Sequence, residues 1–157
     1  MGENLIIGFV TMAVCLTIQC IVVGALLDAL VFLEKKGLIR LTLVGVSSLL
    51  VAVMLIMLAG NIIQITIWAG LFLSYGEFKE FATAFYHSVV NFATLGYGDI
   101  VMSEKRRLLG ALEAANGVLM FGLTTGFLYT ILSGVLERYW DEQIGQKSES
   151  KKICSKS

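Results

Sequence analysis

Proline is absent from this 157-residue chain, histidine occurs once, and only 15% of the residues are charged. Soluble domains carry roughly 25% charged residues, so the shortage bears directly on class. The lack of proline excludes a Pro-rich linker or a collagen-like chain. Three cysteines, at 15, 20 and 154, are an odd and scattered set, unsuited to a disulfide framework or a zinc site. Lys+Arg and Asp+Glu are equal at 12 each, which removes the net basic charge that would point to nucleic acid. The few charges are also segregated. No lysine or arginine precedes Lys35, and Leu41 to Tyr75 carries no charge of either sign. Hydrophobic residues make up 57% of the chain, more than a soluble domain of this length can enclose. The composition defines an all-α integral membrane protein.

A membrane-crossing helix needs about 20 predominantly apolar residues. Leu5–Leu33 meets this with one interior charge, Asp28, and Leu41–Leu73 meets it with length to spare. Leu108–Leu136 meets it with Glu113 inside. Phe81–Phe92 does not, since 12 residues make a helix of only about 18 Å. Such a segment is expected to enter the bilayer and return. Lysine and arginine favour the cytoplasmic side. Lys35, Lys36 and Arg40, together with Arg138, Lys147, Lys151, Lys152 and Lys156, are therefore assigned inside. The outer side receives Lys79, Lys105, Arg106 and Arg107, four cations against eight, and the N-terminus with Glu3. Met1 to Cys20 has neither the basic start nor the cleavage pattern of a signal peptide. Asp141 to Ser157 is read as a mobile polar tail.

Between the half-length helix and the last span lies Thr94-Leu95-Gly96-Tyr97-Gly98-Asp99. Irregular backbone at membrane depth persists only when buried in protein or lining a water-filled path. Glycine reaches positive φ without steric cost, so a Gly-X-Gly segment can alternate its conformation and turn successive carbonyl oxygens toward one axis. A row of such oxygens can replace the hydration shell of a monovalent cation.

This segment resembles the selectivity filter of potassium channels, with Leu95 where that family commonly has valine. The carbonyl-cage mechanism is the family's own and is carried over from it. The resemblance covers Phe81 to Leu136 and implies a pore domain over 41–137, preceded by an N-terminal helix and basic loop over 1–40 and followed by a short cytoplasmic tail over 138–157. Within the pore domain it implies an outer helix at 41–75, a pore helix at 80–92, the filter at 94–99 and an inner helix at 107–137. Thr94, Leu95, Gly96, Tyr97 and Gly98 would bind potassium, with the ions held at Thr94 to Tyr97. Tyr97 would brace the filter at potassium width. Asp99, Tyr86 and Glu113 would support it, Asp99 by a hydrogen bond from Tyr86. Gly117 is similar to the family's hinge glycine, and Phe121, Thr125 and Tyr129 would line the cavity. Ala93, Val90 and the Val101-Met102 pair depart from the common pattern, which bears on open-state stability and inactivation more than on conduction.

Gly96-Tyr97-Gly98-Asp99 also fits the Gly-X-Gly-Asp of intramembrane aspartyl proteases, but those enzymes need a second aspartate close by. The only earlier one, Asp28, belongs near the opposite membrane face, so no catalytic residue is assigned and the chain is not read as an enzyme. Glu113 could bond the back of the pore helix or pair with Arg107 or Lys105, with Asn116 as a companion. The glycines of the last span could equally serve close helix packing. His87 is read as a packed aromatic substitute in preference to a proton sensor. Asn61 and Gln64 are expected to make interhelical hydrogen bonds. Cys154 sits as in a prenylation box whose neighbours do not fit, and Met1-Gly2 lacks the serine or threonine that myristoylation needs. Neither of the first two spans carries the arginine series of a voltage sensor. The 21 residues after Leu136 are too few for a regulatory domain.

The expectation is therefore a multi-pass cell-membrane protein with its N-terminus outside, a homotetramer of three spanning helices and one pore helix per subunit. It would conduct potassium passively, with no cofactor beyond the permeant ions and with lipid and its own copies as partners. The alternatives are a non-selective monovalent cation channel of the same fold and a non-conducting regulatory channel subunit.

Overall fold

The computed structural model describes residues 2–36 and 42–154, with side chains as far as Glu137 apart from Leu43. Four helices follow one another: α1 (Gly2–Lys35), α2 (Leu43–Ser74), α3 (Phe81–Phe92) and α4 (Arg107–Cys154). There is no strand among the described residues. Three of these helices are long and apolar enough to cross a membrane, over Gly2–Lys35, Val44–Ser74 and Arg107–Glu137. The protein is an all-α, multi-pass membrane protein. Arg40, in the expected basic loop, and Lys156, in the tail, lie outside the described residues.

The half-length helix has the bounds expected from the sequence, and the spans agree within a few residues. The tail is the difference. α4 runs without a break to Cys154, through the stretch read as a mobile tail. Glu, Gln, Lys and Arg are good helix formers and no proline stops them, so polarity here ends the membrane span but not the helix.

Helix ends are set by local chemistry. Thr42 caps α2, its hydroxyl accepting from Gly45 N at 3.2 Å. At the far end Gly76 takes φ +73°, while Gly76 N donates to Leu73 O and Glu77 N to Phe72 O. This paired closure by a left-handed residue is a Schellman motif. α3 ends the same way: Thr94 N donates to Asn91 O at 2.8 Å and Leu95 N to Val90 O at 2.9 Å. The left-handed residue there is Thr94, at φ +58°.

α1, α2 and α4 pack on one another, and α3 packs against α2 and α4. Two apolar clusters hold the bundle. One joins Met12, Cys15, Trp68, Phe72, Met102 and Leu109; the other joins Leu26, Val53, Met57 and Phe127. Buried polar side chains, among them Gln19, Gln64, Ser88, Glu113 and Asn116, also lie inside. Between helices in lipid, packing and polar contacts carry the association that the hydrophobic effect supplies in water.

One end of the bundle is pinned by Arg106, which is largely buried. Its guanidinium stacks 3.8 Å from the centre of the Tyr75 ring, donates to Asn4 Oδ1 and lies 3.9 Å from Glu3. Asn4 in turn donates to the Lys105 carbonyl. The first turn of α1, the end of α2 and the loop before α4 are thus fastened together at one face of the membrane.

Candidate functional site

α3 delivers the chain directly into Thr94–Asp99. Along that segment φ is +58° at Thr94, +58° at Gly96 and +72° at Gly98. Every second residue is left-handed. Only glycine takes this conformation freely, and threonine holds it because the Schellman closure of α3 requires it. An extended strand points successive carbonyls to opposite sides, and a left-handed residue at every second position is a backbone pattern that can turn them toward one side. The C-terminal end of α3, with its partial negative charge, lies at the start of this segment.

All of Thr94–Asp99 is exposed in the single chain, including the large apolar Leu95 and Tyr97, which is 66% exposed. Beside it lies an open hollow of about 550 Å³, bounded by Asn91, Gly96, Gly98, Val101, Arg107 and Ala111.

Two adjacent residues of α3 hold the far end of the segment. Tyr86 Oη donates to Asp99 Oδ2 at 2.8 Å, and this bond is the main reason that the phenol's pKa is raised. His87 Nδ1 lies 3.0 Å from Ile100 O, and Asn91 Nδ2 lies 2.9 Å from His87 Nε2. The amide donates to Nε2, which assigns the ring proton to Nδ1 and makes it the donor to Ile100. The ring also packs against Phe72 and Phe78, at 5.8 and 5.0 Å between centroids. Burial lowers its pKa below the usual 6.5, against the opposing influence of the Ile100 carbonyl, Asp99 and Glu77. His87 is thus a packed aromatic that also makes two directed bonds. Beyond Ile100, Glu77 accepts from both Ser103 N and Ser103 Oγ, at 2.8 and 2.7 Å.

Glu113 faces the back of α3. It is fully buried, with Ser88 and Asn91 beside it, although neither carboxylate oxygen has a partner in hydrogen-bond geometry. Neither Arg107 nor Lys105 reaches it. Arg107 lies 4.0 Å from Glu104 on the exposed side, and Lys105 is exposed. Asn116 turns away to Gln64. Of the expected interhelical pair, Gln64 bonds both Gln19 and Asn116, while Asn61 Oδ1 has no partner.

Gly117 lies where α4 crosses the last turn of α3. A Cβ there would collide with the Phe92 carbonyl, so close packing is a sufficient reason for this glycine. One turn on, Phe121 meets Phe92 edge-to-face at 5.8 Å. Phe121, Thr125 and Tyr129 share an exposed face of α4, while Met120 and Phe127 are buried on the other. The described residues contain no group of His, Cys, Asp and Glu able to hold a metal ion. The signals missed by sequence reading were Gln19, an isolated amide in an apolar helix, and the Arg106 staple.

A family model described as "ion channel" matches residues 50–134, more than half of the chain. The chain belongs to that ion channel family. No curated protein and no solved structure gives a match to it. The family match takes in most of α2, all of α3 and most of the membrane-crossing part of α4, and leaves α1 outside.

Proposed function

We propose that this ion channel is potassium-selective and that the chain is one of four identical subunits around a central pore. The observation that carries the reading is the left-handed alternation at Thr94, Gly96 and Gly98, in a segment that begins at the C-terminal end of a half-length helix. Partly dehydrated potassium ions would be held by the main-chain oxygens of Thr94–Gly98 and the Thr94 hydroxyl. A single such strand offers oxygens from one side only, and a cage needs several. The exposure of Leu95 and Tyr97, with the open hollow alongside, supports neighbouring copies as what covers them.

In this reading Tyr86 and His87 brace the outer end of the filter, and Glu113 backs the pore helix. The exposed Phe121, Thr125 and Tyr129 face lines the inner cavity. α4 forms the inner gate, with Gly117 as the point about which it bends. The N-terminus lies outside and the C-terminus in the cytoplasm, as the lysine and arginine distribution favours.

Purified protein in planar bilayers under opposed potassium and sodium gradients tests the proposal. A reversal potential close to the potassium limit is expected. Equal permeabilities would replace it with a non-selective cation channel, and a complete absence of current in an assembled oligomer would favour a non-conducting subunit.

A further inference from the structure

α1 lies wholly outside the family match, yet a polar side chain at its middle is fully buried against the pore unit. Gln19 Oε1 accepts from Gln64 Nε2 at 2.7 Å, and Gln19 Nε2 donates to Met57 Sδ at 3.6 Å. Gln64 is also fully buried and uses its other end, since Asn116 Nδ2 reaches Gln64 Oε1 at 3.5 Å. α2 also approaches closely at Gly60, where a Cβ would stand 3.0 Å from Gln19 Oε1. The next residue after Asn116 is Gly117, pressed against the Phe92 carbonyl. Phe92 is the last residue of α3, two positions before Thr94.

We propose that Gln19 is a positioning residue for the filter: through Gln64 and Asn116 it fixes the place on α4 against which the end of the pore helix rests. The inference rests on the channel reading above. A leucine at position 19 would fill the same space at no polar cost, and the neighbouring cluster of Leu26, Val53, Met57 and Phe127 already supplies apolar packing. A buried amide is expensive in a membrane interior and directional once bonded. What it adds over leucine is register, the setting of three helices along one another at a single level. Gly117 and Phe92 turn that level into the position of the filter's first residue, because contact between backbones leaves no slack to absorb a shift. α1 is then an integral part of the pore and not an appended anchor.

The test uses the full chain in bilayers, comparing wild type with Gln19→Leu, Gln19→Asn and the control Leu26→Ala. Oligomer retention is followed by size-exclusion chromatography. Gln19→Leu is expected to assemble, to spend about fivefold less time conducting, the population change that one net hydrogen bond makes, and to discriminate less between potassium and sodium. Gln19→Asn, whose amide is one methylene short of Gln64, should shift both in the same direction. Leu26→Ala should lower thermal stability and leave the permeability ratio alone. Assembled Gln19 variants with wild-type conduction and selectivity would overturn the inference, as would an equal change from Leu26→Ala. Should Gln19→Leu fail to assemble, Gln19→Asn decides. A wild-type oligomer without current overturns the channel reading itself and this inference with it, whereas a conducting wild type with indifferent variants overturns only the latter.

Discussion

The Tyr86 phenol and the Asp99 carboxylate, thirteen positions apart, meet at 2.8 Å and tie the middle of α3 to the end of the candidate filter. The bond runs from the helix that precedes the filter to the residue that follows it, so the segment between them is held at both ends. Tyr86→Phe removes the hydroxyl and keeps the ring. The variant should assemble normally and lose conduction a few-fold faster during sustained recording, the scale of one hydrogen bond. Single-channel records from the two proteins side by side check this, and indistinguishable open times would dismiss the brace.

Gly96 has φ +58° with nothing within 4 Å of a Cβ built on it. An alanine there would meet no atom, but it would carry the strain of a left-handed L-residue, about 1–2 kcal/mol per subunit. Gly96→Ala should abolish potassium flux from loaded liposomes while helical circular dichroism stays unchanged. Gly70→Ala, in the interior of α2, should leave flux intact.

Gly117 presents the opposite situation, ordinary helical backbone with no room. Gly117→Ala forces a methyl group against the Phe92 carbonyl, and overpacking of this kind costs about 1–3 kcal/mol. Thermal unfolding in detergent should show clear destabilisation, whereas Gly24→Ala, which has open space, should be neutral or slightly stabilising. A wild-type melting curve for Gly117→Ala would mean that α3 and α4 can part at little cost.

His87 gives a pH dependence of definite sign. Burial depresses its pKa in the folded protein below 6.5, so the neutral ring's contribution is complete above that value and is lost as the pH falls through the lower, folded one. A protonated Nε2 could no longer accept from Asn91. Conduction should therefore decline on acidification of the outer solution from about pH 7.5 toward about pH 5, and His87→Phe, which keeps the packing and cannot titrate, should flatten the profile. An unchanged profile in that variant would assign the acid response to another group.

The large outlines were legible in the sequence because they depend on local composition. An unbroken apolar run declares a span wherever it occurs. Phe81–Phe92 was marked by its shortness, and Thr94–Asp99 by two glycines at a depth where bare backbone needs a reason. What escaped depends on pairing across the chain. Gln19 is one amide in an apolar helix, and its partner lies 45 residues away. For Glu113 the sequence left two settings open, the back of α3 or Arg107 and Lys105, and only the fold decides for Ser88 and Asn91. The left-handed Thr94 could not be foreseen from its residue type, since its conformation follows from how α3 closes. The continuation of α4 into the polar tail was missed because charge was read as a sign of mobility, when it marks only the end of the apolar span.

α3 begins a few residues after one left-handed corner, at Gly76, and ends at another, at Thr94. The same kind of closure thus bounds the helix at both ends, and its 12 residues form a strut of set length between the end of α2 and Thr94. If Thr94–Asp99 lines an ion path, that strut fixes how far its first residue stands from the end of α2.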